Sequence, residues 1–374
     1  MAQRDLYIDR LRTALTALVV VFHTAITYGA SGGWFYHEVE SSARPSSILL
    51  TLFVATNQAY FMGFFFLLAG YFTPASLERK GYWRFIGDRF LRLGLPLLAF
   101  GLLLGPLTAA MVNYAQGDGF WSCIAWLWRH KRFINGPLWF TQALLLFSLA
   151  YCACRAVFGF ALTESQRAPR PIPTQRWWLL SALGVGAVAL AIRQIVPVGQ
   201  NVIGLQLGYF ASYIFLFVVG VAAWRYDWLR QLSWKQARAS LIALIIAWAC
   251  LPAGIVVARV LHGAGKSNFS GGFSWPAILY AFWEPFVAWG LIAAWLLVFR
   301  SRMNQPSAFW SWLNRRAYAV YIIHPVVLVG ISLLLRGWIA PALVKWGVVG
   351  VLACIACWIV ADPLVRLPGV RRVV

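Results

Sequence analysis

A few ionisable side chains inside otherwise apolar sequence mark where this chain could do chemistry. His23 follows Arg12 by eleven residues, which at about 100° per residue returns both to within about 20° of one helical face. The same spacing sets His23 about 16 Å further along the axis, well inside a membrane-spanning segment. Histidine is the side chain whose ordinary pKa lets it accept a proton near neutral pH. His23 therefore reads either as a general base or as a core residue bonded to a neighbouring helix, and Arg12 alone reads most simply as a positive anchor. Asp88-Arg89-Phe90-Leu91-Arg92-Leu93 opens the third apolar run, with Arg89 and Arg92 three apart and so on one face. Two forked guanidiniums, with free backbone N–H groups at a helix start, suit a phosphate or pyrophosphate. Each arginine alone would serve as an anchor. Glu284 lies in mid-run beside Pro285 and needs a partner or a proton; Arg193, in another run, could be that partner. His324 precedes Pro325, where a packing role is as well supported as a catalytic one. His37, His130 and His262 fall in connections and read as solvated or interfacial.

The elements that must position these groups are membrane spans. Of 374 residues, 61% are hydrophobic, 11% are charged and 21 are Trp, against about 45–50% and about 25% in a soluble domain. Apolar runs fall at 13–30, 49–72, 91–113, 138–158, 177–196, 202–224, 240–258, 275–299, 317–335 and 339–360. Each approaches the roughly 20 residues a spanning helix needs, and none alternates as a membrane barrel would. The expected fold is all-α, a polytopic integral membrane protein of about ten spans forming a single domain over 1–374. The longest expected connections are 31–48, 73–90, 114–137, 155–176 and 259–274. The basic N-terminus and first run lack a small-x-small cleavage site, so the first run reads as an uncleaved helix.

The net charge of +21 has a topological explanation. With ten crossings, 23 Lys and Arg fall on the side of the N-terminus and nine on the other. By the positive-inside rule both termini are cytoplasmic, and no nucleic-acid partner is required. Cys354 and Cys357 have CxxC spacing, but no second pair or nearby His completes a metal site. No Walker loop, dinucleotide-binding glycine fingerprint, GxSxG elbow or HExxH helix is present.

Five segments together resemble one family. Arg4-Asp5-Leu6-Tyr7-Ile8-Asp9-Arg10-Leu11-Arg12 followed by Val20-Val21-Phe22-His23 is similar to the first helix of the acyltransferase family 3 membrane enzymes. Phe64-Phe65-Phe66-Leu67-Leu68-Ala69-Gly70-Tyr71-Phe72 resembles a second landmark, with Ala69 where Ser is commoner. Arg89-Phe90-Leu91-Arg92-Leu93-Gly94-Leu95-Pro96, Pro137-Leu138-Trp139-Phe140 and Tyr321-Ile322-Ile323-His324-Pro325 resemble three more, in the family's order. Within the family the chain is most similar to the branch that includes the glucan biosynthesis protein C succinyltransferases.

The resemblance implies a membrane O-acyltransferase of a cell inner (plasma) membrane. It would move an acetyl or succinyl group from cytoplasmic acyl-CoA to a hydroxyl of an extracytoplasmic glycan or related cell-envelope acceptor. Acyl-CoA enters as donor substrate, and no cofactor is implied. The phosphates of CoA cannot enter hydrocarbon cheaply, so Arg89 and Arg92 would bind the donor. His23 would take the acceptor's proton, and Arg12 would place the donor or hold His23 through an intervening group. Glu284, Arg193 and His324 are acceptor-side or supporting candidates. A transporter or flippase for a glycan or acylated lipid is the alternative, although no inverted repeat with paired broken helices is visible.

Overall fold

A computed structural model describes residues 5–159, 169–263 and 268–373, apart from the side chain of His262. Arg4, Lys266 and the His262 side chain lie outside the described residues. Ten described helices are long and apolar enough to cross a membrane. They are α1 (Leu6–Thr27), α2 (Pro45–Lys80), α3 (Tyr82–Ala115), α4 (Gly136–Phe158) and α5 (Gln175–Ile195). They continue with α6 (Leu207–Tyr226), α7 (Trp234–Leu261), α8 (Trp275–Arg302), α9 (Ala317–Leu334) and α10 (Ala342–Leu364). Each answers one apolar run of the sequence. Extended pairing among the described residues is limited to two isolated bridges, Tyr28 with Val39 and Val202 with Leu205. Helices win because each satisfies its own backbone N–H and C=O groups where no water can.

The helices differ from the apolar runs at their ends, and the expected connection 73–90 is almost entirely helical. Only Gly81, at φ +70°, separates α2 from α3. Glu78, Arg79 and Lys80 are good helix formers that hydropathy scores as loop. A glycine in the left-handed region is the usual way to end such a helix. The connection 114–137 likewise contains a short helix, Phe120–Arg129, with Trp121, Trp126 and Trp128 exposed. Those rings have the composition of a helix lying in the headgroup layer.

The chain forms two compact units. One holds the described residues of Met1–Ile8, Ala55–Ile86 and Leu146–Asn304. The other holds Asp9–Val54, Gly87–Leu145 and the described residues of Gln305–Val374.

In the first unit α7 packs along α8, and α8 along α5. The Ala69-Gly70 segment of α2 crosses α6 so closely that a Cβ on Gly70 would lie 2.1 Å from the Phe217 carbonyl oxygen. A Cβ on Gly220 would lie 2.0 Å from that of Leu67. Reciprocal glycines thus let two spans touch backbone to backbone, as small residues do between membrane helices.

In the second unit, side-chain contacts fix the directions of α1, α3, α9 and α10. The Tyr318 hydroxyl donates to the Arg92 carbonyl at one end of α3 and α9, and Arg336 donates to the Ala115 carbonyl at the other end. Those two helices therefore run parallel. Arg316, at the start of α9, pairs with Asp362 near the end of α10, so α10 runs the opposite way. Trp346 donates to Val21 O (3.2 Å) and Cys354 lies against Ala17 O (3.8 Å), which sets α10 antiparallel to α1. Within this unit α1, α3 and α9 therefore share one direction and α10 takes the other.

Three prolines shape this unit. Proline has no N–H to donate to the carbonyl four residues earlier, so Pro96, Pro106 and Pro325 deprive the carbonyls of Arg92, Leu102 and Tyr321 of their α-helical donors. The wider π-helical turns Phe90–Gly94 and Phe100–Leu104 precede the first two prolines. A side chain takes each carbonyl: Tyr318 Oη that of Arg92, Trp128 Nε1 that of Leu102 (3.0 Å), and His324 Nδ1 that of Tyr321 (2.7 Å).

Candidate active site

The last of these contacts determines how His324 can behave. A carbonyl only accepts, so His324 Nδ1 carries the hydrogen and, in the neutral ring, Nε2 carries the lone pair. That Nε2 lies 3.2 Å from His23 Nδ1. His23 must then donate from Nδ1, and its own Nε2 is left with a lone pair. The Val19 carbonyl, one turn earlier on α1, also lies within reach of a His23 ring N–H, so His324 and the backbone of α1 together bear on the tautomer of His23. His324 is fully buried, whereas His23 keeps part of its surface accessible.

Trp34, from the connection after α1, completes the arrangement. Its ring stacks on His23 with centroids 3.9 Å apart and 16° between planes, and lies 5.9 Å from His324. An indole face against an imidazole favours the ring once it becomes positive. Tyr321 packs against His324 at 5.9 Å, and its hydroxyl donates to Pro137 O, tying the Pro137-Leu138-Trp139 turn to the same group.

Arg12, Arg89 and Arg92 occupy the other end of this unit. Arg12 is exposed eleven residues before His23 on α1. Arg92 is half-exposed and bonded through Nε to Asp88 at 3.1 Å. Tyr318 connects them, for it holds the Arg92 carbonyl and lies within electrostatic reach of both guanidiniums. One part of the sequence reading is corrected here. Arg89 and Arg92 do not stand at a helix N-terminus, because α3 begins at Tyr82 and the pair lies about two turns inside it. Any anion held there meets guanidiniums and a π-helical turn instead of free N–H groups. Hydropathy misplaced the helix start because Tyr82–Asp88 is polar yet helical.

Arg193 and Glu284 belong to the first unit, and the structure brings them together. Arg193 Nη2 bonds Glu284 Oε2, and Arg193 Nε donates to Gly208 O at 3.0 Å. The guanidinium lies over the rings of Tyr209 and Tyr280 at 5.4 and 5.3 Å. Arg193 Nη1 and Glu284 Oε1 are buried without a hydrogen-bond partner. The Tyr280 hydroxyl lies within hydrogen-bonding reach of the Glu284 carboxylate, and such a pair costs desolvation that its mutual attraction must offset. His37 and His130 are bound locally, to Gly32 O (3.2 Å) and Trp126 O (2.9 Å), and join neither cluster.

Sequence reasoning missed Trp34 and Tyr318. Trp34 sits in a connection whose fold no periodicity reports, and Tyr318 looks like one more aromatic at a span end. The pairing of Arg92 with Pro96 four residues on was the available signal for Tyr318, since it announces a carbonyl needing a donor.

Ten described helices able to span a membrane, with a hydrogen-bonded histidine pair among them, define the chain as a polytopic membrane protein with a candidate site at that pair. The family comparison specifies which kind. The acyltransferase family 3 model, described as an acyltransferase domain, matches residues 5–362, and the chain belongs to that family of membrane acyltransferases. Over 119 residues, 31% of this chain and 29% of the relative, it is 32% identical to glucans biosynthesis protein C of Escherichia coli strain K12. Over the same length it is 33% identical to the protein of that name in strain SMS-3-5. The match thus spans less than a third of the length of those relatives. No solved structure matches the chain.

Proposed function

We propose that the chain works as one membrane acyltransferase domain carrying an acetyl or succinyl group from acyl-CoA to a hydroxyl of a glycan. The donor binds on the cytoplasmic face of a cell inner (plasma) membrane, where both termini lie, and the acceptor approaches from the opposite face. The acceptor oxygen attacks the thioester carbonyl as its proton passes to His23 Nε2. The carbon–sulfur bond then breaks, and the proton goes on to the departing thiolate. His324 Nε2 accepts from His23 Nδ1–H throughout, so the imidazolium formed in mid-reaction keeps its orientation and a charge-assisted hydrogen bond. Arg12, Arg89 and Arg92 hold the phosphates of the donor. Glu284 and Arg193 are assigned a supporting role, as a buried ion pair of the first unit.

The observation that carries this reading is the chain of contacts Tyr321 O, His324, His23, which leaves one basic nitrogen at the His23 end. The test is His23→Ala, purified and reconstituted, with free CoA measured from acetyl-CoA or succinyl-CoA in the presence of glucan acceptor. Loss of a general base is expected to lower turnover about 10²–10⁴-fold with elution and thermal transition unchanged. Wild-type turnover in that variant would overturn the assignment.

A further inference from the structure

The first unit gathers cations at one end of its helices. There α6 ends at Tyr226, α5 and α7 begin at Gln175 and Trp234, and Arg300 near the end of α8 donates to the carbonyls of Leu229, Arg230 and Leu232. The Gln175 side chain ties two of these ends together: its amide N–H donates to Lys235 O (2.8 Å), and its oxygen accepts from Ala239 N–H (3.1 Å). Arg176 is thereby brought to the turn of α7 that carries Lys235 and Arg238, and all three are exposed. Arg170 and Arg225 are crowded as well, with both guanidiniums over the Tyr226 ring at 5.1 and 5.5 Å. The carboxylates of Asp5 and Asp227 both lie on a sixth cation, Arg230, at 3.3 and 4.0 Å. Like charges held this close repel one another, and an anion among them relieves the repulsion.

Beside this cluster lies a cavity of about 670 Å³, its open mouth included. Its lining interleaves with the cations in sequence: Trp178 follows Arg176 by two residues, and Gln236 and Ala237 stand between Lys235 and Arg238. Tyr226, under two guanidiniums, packs on Trp228 at 5.5 Å, and Trp228 meets Trp178 at 6.4 Å, so aromatic rings connect cluster and cavity. From there the cavity follows α6 from Ala223 back to Leu216 and α8 from Leu296 back to Trp289, about 10 Å along each. Almost nothing polar faces it. The Gln236 side-chain oxygen already accepts from Ser233 N–H and Oγ–H, both at 2.9 Å, and Trp289 Nε1 donates to Ser181 Oγ at 3.0 Å. Water would find few partners there, for apolar cavities stay dry. An empty space of this size forfeits the dispersion contacts its lining could make.

The occupant must be apolar inside the cavity and anionic at its mouth. We infer that the cavity takes an acyl chain of an anionic phospholipid whose phosphate lies among Arg176, Lys235 and Arg238. Basic pockets between membrane helices hold anionic headgroups in this way. A zwitterionic lipid would fill the cavity but bring an ammonium group to a cationic mouth, and a soluble phosphate would leave the cavity unfilled. The site stands apart from the acyltransfer reading, since its residues all belong to the first unit and the histidine pair to the second.

The test uses full-length protein stripped of lipid in mild detergent and titrated with dioleoylphosphatidylglycerol or dioleoylphosphatidylcholine. Bound lipid is counted by native mass spectrometry, alongside the thermal transition. Wild type should hold one phosphatidylglycerol at least about tenfold more tightly than phosphatidylcholine and gain thermal stability in proportion. Arg176→Gln combined with Arg238→Gln should weaken phosphatidylglycerol about 10- to 30-fold, toward the level of phosphatidylcholine, since each cation near an anionic headgroup is worth about a factor of five. Ala293→Phe, which fills the cavity, should weaken both lipids about tenfold while the lipid-free transition holds or rises. Equal wild-type affinity for the two lipids overturns the inference. So does phosphatidylglycerol binding that survives unchanged in either variant. Should Ala293→Phe fail to fold, the double arginine variant, altered only at exposed positions, still decides the matter.

Discussion

Replacing His324 separates two jobs that the structure assigns to one ring. Its Nδ1–H holds the Tyr321 carbonyl at 2.7 Å, and its Nε2 receives His23 Nδ1–H at 3.2 Å. His324→Ala removes both. Loss of the second contact strips a charge-assisted hydrogen bond from the imidazolium form of His23, a bond of about 1.5–3 kcal/mol. At about 1.4 kcal/mol per decade, kcat should fall about 10- to 150-fold. Donor KM should not move, because His324 is fully buried and touches no guanidinium. Loss of the first contact orphans the Tyr321 carbonyl and should lower the thermal transition. Two further variants divide these effects. In His324→Gln, Oε1 falls near the position of Nε2 and can receive the His23 proton, so kcat should recover while the transition stays low. In His324→Asn the amide falls near Nδ1, restoring the carbonyl contact but not reaching His23, so stability should recover without kcat. The assay is steady-state CoA release with purified protein, paired with thermal unfolding of each variant. Wild-type kcat in His324→Ala, or equal losses of kcat in the Gln and Asn variants, would refute the relay.

Two other outcomes follow from contacts already described. Tyr318→Phe leaves the Arg92 carbonyl without its hydroxyl donor; the loss of about 1 kcal/mol of positioning should raise donor KM about fivefold with little change in kcat, read from CoA release against acyl-CoA concentration. Gly70→Ala would set a Cβ 2.1 Å from the Phe217 carbonyl oxygen in the first unit, where backbone rather than a side-chain tip must yield. The α2–α6 crossing should then open, with a cost of at least about 2 kcal/mol and a clearly lower thermal transition in detergent.

The number and order of the spans were legible because hydrocarbon imposes a length and an apolar composition that few other environments require. Helix ends were less legible. Hydropathy reports contact with lipid, and the helices continue through Glu78, Arg79, Lys80 and Tyr82–Asp88, where no lipid contact is needed. At the site, Arg12 and His23 could be related because they share one helix, whereas the partner of His23 lies 301 residues away. No local period carries that distance. Arg193 and Glu284 illustrate an intermediate case. Two opposite charges in different apolar runs are so expensive alone that pairing was the economical expectation, and the structure pairs them.

What the sequence did carry, in compact form, was the logic of the prolines. Arg92 and Pro96 are four apart in one segment of the family resemblance, and Tyr321 and Pro325 are four apart in another. In a helix that spacing deprives the first residue's carbonyl of its donor. In a membrane an unfilled carbonyl is costly enough that a side chain must supply the missing hydrogen. Tyr318 does so for one segment and His324 for the other. In each case the donor is thereby fixed beside a candidate functional group: Tyr318 within electrostatic reach of Arg12 and Arg92, and His324 against His23. These prolines therefore act less as kinks than as a means of orienting a polar side chain inside hydrocarbon, where few other groups could hold it.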